Sequence, residues 1–137
     1  MTKEGSRNLV FDTSAIIKLV KHHPGFQNVE RLTSLVESGA AKGFVSSLTF
    51  FEILTVLGQK DYDLALDIIS YLENGFETLD VYGETAKKAG FKRLENIELN
   101  LSLADWIIVE SAISNGYEII TSDKEWVKVK EANVKIV

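Results

Sequence analysis

The 137-residue sequence has no cysteine, one proline, and two histidines that sit side by side as His22 and His23. Without cysteine there are no disulfides and no thiolate metal sites, which suits a cytoplasmic setting. A His-based zinc site or a Ser-His-Asp triad would have to use His22 or His23, which precede Pro24-Gly25 in an expected surface turn. No apolar run approaches the roughly 18 residues of a membrane span. The opening "MTKEGSRN" is polar and leads into only a short apolar stretch, so no signal peptide is expected. Basic residues are also in deficit: 15 Lys and Arg against 20 Asp and Glu leave a net charge of −5. That balance argues against a broad nucleic-acid-binding surface but leaves room for a local site with bound cations.

What is present is an ordinary globular chain, 45% hydrophobic and 26% charged, of a length that predicts one domain over residues 1–137. "NLVFD" (8–12), "KGFVSS" (42–47), "FETLDV" (76–81), "YEIITS" (117–122) and "VKIV" (134–137) read as strands. Helical spacing marks 13–23, 25–38, 48–58, 61–75, 83–97, 102–116 and 123–132. Asp61 is placed to cap one helix, and Gly39, Gly58, Gly75 and Gly116 to close four. Strands alternating with helices predict an α/β fold, a three-layer α/β/α sandwich around a parallel sheet of four to five strands. No hairpin, repeat, low-complexity tract or linker interrupts the pattern.

Asp12, Glu52, Asp105 and Asp123 stand directly after strands or at helix starts. Each has a structural explanation available, because acids are favoured near helix N-termini. Thr49-x-x-Glu52, Ser102-x-x-Asp105 and Ser122-x-x-Glu125 also match capping boxes. Position in the fold offers a second explanation. In an open parallel sheet, the strand C-termini and the starts of the following helices share one edge, where ligands bind. Four acids brought together there would repel one another, and some would stay protonated. A hard divalent cation removes that conflict, polarises a phosphodiester and activates water without help from His or Cys.

"VFDTSAIIKLV", "SSLTFFEILTVL", "LADWIIVESAI" and "IITSDKEW" together resemble, in order, the four conserved blocks of the PIN domain family. Within that family the chain most resembles the single-domain toxins of VapBC toxin–antitoxin modules, over nearly its whole length. The resemblance implies a Mg²⁺- or Mn²⁺-dependent ribonuclease, often homodimeric, held inactive by a cognate antitoxin. It carries Asp12, Glu52, Asp105 and Asp123 onto the invariant acids as metal-binding and catalytic residues. It carries Thr121 onto the hydroxyl residue two places before the last acid, and Thr13 and Ser14 onto the small polar pair after the first. Plain helix capping remains the other reading of these hydroxyls. The four acids show no departure from the pattern, whereas the acidic net charge is unusual for an RNA-cutting enzyme.

Lys87, Lys88, Lys92 and Arg93 cluster on one helix, and Lys124, Lys128 and Lys130 follow the last acid. They are read either as a solvated face or as phosphate contacts. Phe50, Phe51, Ile53, Leu54 and Leu57 exceed what one buried helix face needs, which makes part of that helix an interface candidate. A phosphoacceptor receiver domain would want an acidic pair at the first strand and a Lys after the fifth, and a haloacid-type phosphatase would want Asp-x-Asp. The sequence has Asp12-Thr13-Ser14. The remaining alternative is a PIN-like RNA- or protein-binding module with little or no hydrolysis.

Overall fold

Arg7–Phe11 forms β1, the central strand of a five-stranded sheet. In the computed structural model, which describes residues 7–137, Leu9, Val10 and Phe11 are fully buried. Most of the polar opening segment, read above as no leader, lies outside the described residues. Along β1, Leu9 and Phe11 face one core and Val10 the other, so both faces of the strand are covered. β2 (Ala41–Ser46), β3 (Glu77–Leu79), β4 (Glu118–Thr121) and β5 (Asn133–Ile136) complete the sheet. The order is β3-β2-β1-β4-β5 and every pairing is parallel.

Helices cover both faces, as the alternating pattern predicts. α1 (Thr13–Val20), α2 (Phe26–Glu37), α3 (Ser47–Glu52) and α4 (Tyr62–Gly75) lie over the core that holds Leu9, Phe11 and Val45. α5 (Gly83–Glu95) and α6 (Leu103–Asn115) lie over the core that holds Val10, Phe44, Trp106 and Trp126. Among the described residues no helix is long and apolar enough to cross a membrane.

Four expectations need correction. The helix expected over 13–23 ends at Val20, because His22 takes a left-handed backbone with φ 53° and turns the chain. The helix expected over 48–58 begins one residue earlier and divides into α3 and a π-helical segment, Ile53–Leu57. Gly58 closes that segment, its N–H donating to the Ile53 carbonyl at 3.0 Å. The helix expected over 123–132 is only a 3-10 segment, Lys124–Lys128, after which Val129 is extended. Burial of Trp126 and Val129 draws this stretch onto the sheet before a second turn can form. Gly75, expected as a cap, is instead the last residue of α4, followed by an extended and buried Phe76. Asp61 and Gly116 cap α4 and α6 as expected.

Candidate metal centre

Because every strand runs the same way, the C-terminal ends of β1, β2 and β4 open onto one edge of the sheet. Asp12 follows β1 directly and is 5% exposed. Its Oδ2 accepts from the Ser14 hydroxyl at 2.6 Å and from the Thr121 hydroxyl at 2.9 Å. Each hydroxyl spends its one proton on Asp12, so each is free to accept. The Ser122 N–H donates to Ser14 Oγ at 3.2 Å and the Asp123 N–H to Thr121 Oγ1 at 3.1 Å. The Asp12 N–H donates to the Ile120 carbonyl at 2.9 Å. The ends of β1 and β4 are thereby stitched together around one carboxylate.

Glu52 ends α3. The Thr13 hydroxyl gives its proton to Glu52 Oε1 at 2.5 Å, and Thr49 Oγ1 lies 3.0 Å from the same Thr13 oxygen. The capping box expected for Thr49 and Glu52 does not form. α3 starts at Ser47 with Ser46 as its cap, so Glu52 lies too far along to reach the N-terminus and is left to Thr13. Thr49, read from sequence as a capping hydroxyl, is buried and supports Thr13 instead. Its spacing one helical turn before Glu52 was the available signal.

Asp105 forms the capping box expected of it. Its Oδ2 accepts from the Ser102 N–H at 3.0 Å, and its own N–H donates to Ser102 Oγ at 3.1 Å. Asp123 caps the 3-10 segment, with Oδ1 accepting from the Glu125 N–H at 2.9 Å. Glu125 makes no box with Ser122. Its oxygens go to the Asn100 N–H and to Lys128, and these bonds hold its carboxyl below the usual value.

Electrostatics tie the acids to one another. Burial pushes the Asp12 carboxyl up to about 6, against the lowering effect of Ser14 and Thr121, and the charges of Asp105 and Glu52 add to the rise. Burial also raises Asp105, and the charge of Asp123 raises it further. The four carboxylates thus form a chain of mutually repelling neighbours. Among the described residues, no three Asp, Glu or His side chains are close enough together to grip a metal between them. Yet each of the four acids has one oxygen engaged in the bonds above and a second that no described residue bonds. An all-oxygen set of this kind fits a hard cation that keeps several waters and touches few carboxylates.

The basic residues named from sequence divide. Lys87 pairs with Glu84, Lys128 with Glu125, and Lys92 with Glu110 at 3.5 Å. The first two pairs lie at the surface and contribute little. Glu110 is 2% exposed and also accepts from the Ser114 hydroxyl, so Lys92 neutralises a charge inside the α5–α6 layer. Of the apolar excess, Ile53 and Leu57 are buried and Phe50 is partly so, while Phe51 and Leu54 are exposed together with Val56.

A sequence model of the PIN domain matches residues 9–132. No curated protein is similar enough in sequence to count as a match. Solved structures share the fold at low identity. The VapBC2 complex from Rickettsia felis, bound to a DNA fragment from its promoter, contains a chain 16% identical with a TM-score of 0.74, covering 94% of this chain and 98% of that one. VapC20 from Mycobacterium tuberculosis, described as a sarcin-ricin loop cleaving toxin, is 15% identical with a TM-score of 0.76, covering 93% and 98%. VapBC-1 from nontypeable Haemophilus influenzae is 21% identical with a TM-score of 0.72, covering 94% and 97%.

Proposed function

The chain belongs to the PIN domain family, and from that premise we propose that it is a metal-dependent ribonuclease, a single PIN-like domain acting as the toxin of a toxin–antitoxin pair. The observation that carries the reading is Asp12, held by two hydroxyls, raised chiefly by its burial and further by the charges of Asp105 and Glu52. Capping accounts for Asp105 and Asp123 one at a time, but not for a buried, repelled carboxylate at the centre of the group. Mg²⁺ or Mn²⁺ is the cofactor that matches oxygen-only donors.

Asp12 and Asp105 would hold the ion through their unbonded oxygens, with Glu52 and Asp123 completing the shell directly or through water. When bound there, a divalent cation neutralises the crowded carboxylates and acts as a Lewis acid on an RNA phosphodiester. Ser14 and Thr121 fix the rotamer of Asp12, and Thr13 fixes that of Glu52, so the carboxylates are oriented before ligand arrives. Metal binding removes the repulsion that raises Asp12 and Asp105 in the metal-free protein, so both would be held as carboxylates.

RNA as substrate is supported by the family and by one solved neighbour described as cleaving a sarcin-ricin loop. A cognate antitoxin is supported by neighbours solved as VapBC pairs. The exposed Phe51, Leu54 and Val56 offer a face for it or for a homodimer. The cytoplasm is the compartment consistent with an RNA target. A second reading, a PIN-like binding module with little or no hydrolysis, draws on the absence of a preformed three-acid cluster among the described residues.

The two readings separate in one assay. Purified protein, free of partner, is incubated with a mixed RNA pool in Mn²⁺, Mg²⁺ or EDTA. Cutting in metal alone, lost in folded Asp12→Asn, is expected. No cutting in either metal favours the binding module.

A further inference from the structure

Beside the carboxylates, α1 and the loop after it border a cavity of about 400 Å³, lined among others by Thr13, Ser14, Lys18, His23 and Ser122. We propose that this cavity is a phosphate subsite. Resting on the ribonuclease reading, it would take an RNA phosphodiester next to the one presented to the acids, with Lys18 as its cation and His23 as a second donor.

Thr13, Ser14 and Ser122 belong both to this wall and to the carboxylate network, so the two spaces adjoin. A strand lying across Asp12 therefore has its next backbone unit at the cavity. Lys18 is one helical turn beyond Ser14, about 6 Å along the axis, and on the same face. Consecutive phosphates of an extended strand are spaced on that scale.

Lys18 is prepared for an anion. It is half-buried, and its Nζ donates to the main-chain oxygen of Val137, the last residue of the sequence, at 2.8 Å, which leaves two of its three donors. It pairs with no Asp or Glu side chain among the described residues, although acids outnumber bases in the chain. The loop keeps room for it: a Cβ on Gly25 would stand 3.2 Å from both Lys18 Cε and Nζ, and Gly25 has φ +89°. The left-handed His22 stacks on Phe26, ring centroids 4.2 Å apart at 3°. His22 lines a separate cavity with Glu30 and Tyr71, while His23 lines the one beside the acids. The strained turn thus sends the two imidazoles to different sides. A net charge of −5 and four acids at the site repel RNA, and a fixed ammonium at its rim offsets that repulsion where the strand must lie.

The test is fluorescence anisotropy of a short labelled single-stranded RNA, with Ca²⁺ in place of Mg²⁺, across a KCl series. Wild type, Lys18→Met, Lys18→Arg and His23→Gln are compared after thermal melts establish folding. Losing one phosphate contact lowers the salt slope by about 0.7 and weakens binding about fivefold at 0.1 M salt relative to 1 M. Lys18→Met should show both changes, Lys18→Arg should restore the slope, and His23→Gln should weaken binding less. An unchanged slope in Lys18→Met overturns the subsite and would turn Lys18 toward an acidic protein partner. So does a wild type that binds no RNA. Mn²⁺-dependent cleavage measured in parallel separates the two proposals. Cutting with an unchanged slope sinks the subsite alone, whereas a changed slope without cutting leaves the subsite standing and sinks the nuclease.

Discussion

Asp12→Asn should make the metal-free protein more stable at neutral pH. The Asp12 carboxyl is pushed from 3.8 up to about 6, chiefly by burial. Below the lower value both folded and unfolded chains hold the proton, and the site contributes nothing to stability. Between the two values the unfolded chain ionises while the folded chain stays protonated, so stability falls as pH rises. Above the folded value the loss is complete, at about 3 kcal/mol. Asparagine carries no such charge, and its amide oxygen can still accept from Ser14 and Thr121. Urea melts of wild type and Asp12→Asn in EDTA at pH 4 and pH 7 isolate the effect, since every other titrating group is common to both. The stability difference should move by about 3 kcal/mol in favour of the variant over that range. A difference that stays flat, or that moves toward wild type, would refute the claim that Asp12 is an uncompensated buried acid. Added Mn²⁺ should reverse the order at pH 7 by stabilising wild type alone, by about 4.1 kcal/mol at a thousandfold excess over its dissociation constant.

Thr13→Val removes the hydroxyl that holds Glu52 and should weaken Mn²⁺ affinity about tenfold or more, measured by calorimetric titration, while the thermal melt changes little. Lys92→Met leaves the buried Glu110 without its cation and should cost about 3 kcal/mol or more in a urea melt; the double variant with Glu110→Leu should recover most of it. Gly58→Ala would drive a Cβ into the Leu54 carbonyl oxygen at the end of the π-helical segment and should destabilise by about 1–3 kcal/mol, read from the urea midpoint.

The layered architecture was readable because strands alternate with helical segments along the chain and most segments carry their own period. The near-continuous apolar run at Leu9–Phe11 marked the strand that ends up covered on both sides. The Ser102–Asp105 box was readable because both partners lie within one helical turn. The other two boxes failed for a shared reason. Where a helix starts is decided by the strand before it, and β2 running to Ser46 made Ser46 the cap and left Thr49 and Glu52 to serve Thr13. Asp123 likewise took the capping position one residue after Ser122. The hydroxyl network about Asp12 joins residues 109 positions apart in sequence, so spacing alone could not reveal it. Lys18 was equally hidden: on helical spacing it is one more polar residue on α1, and only the loop after α1 turns it into a cavity wall.

Binding of Mn²⁺ to the metal-free protein, followed by electron paramagnetic resonance with wild type and Asp12→Asn side by side at pH 7, tests the central claim most directly. Saturable binding by wild type that is lost in the folded variant is the predicted result. Equal binding by both proteins, or none by either, would contradict the assignment of these carboxylates to a metal centre.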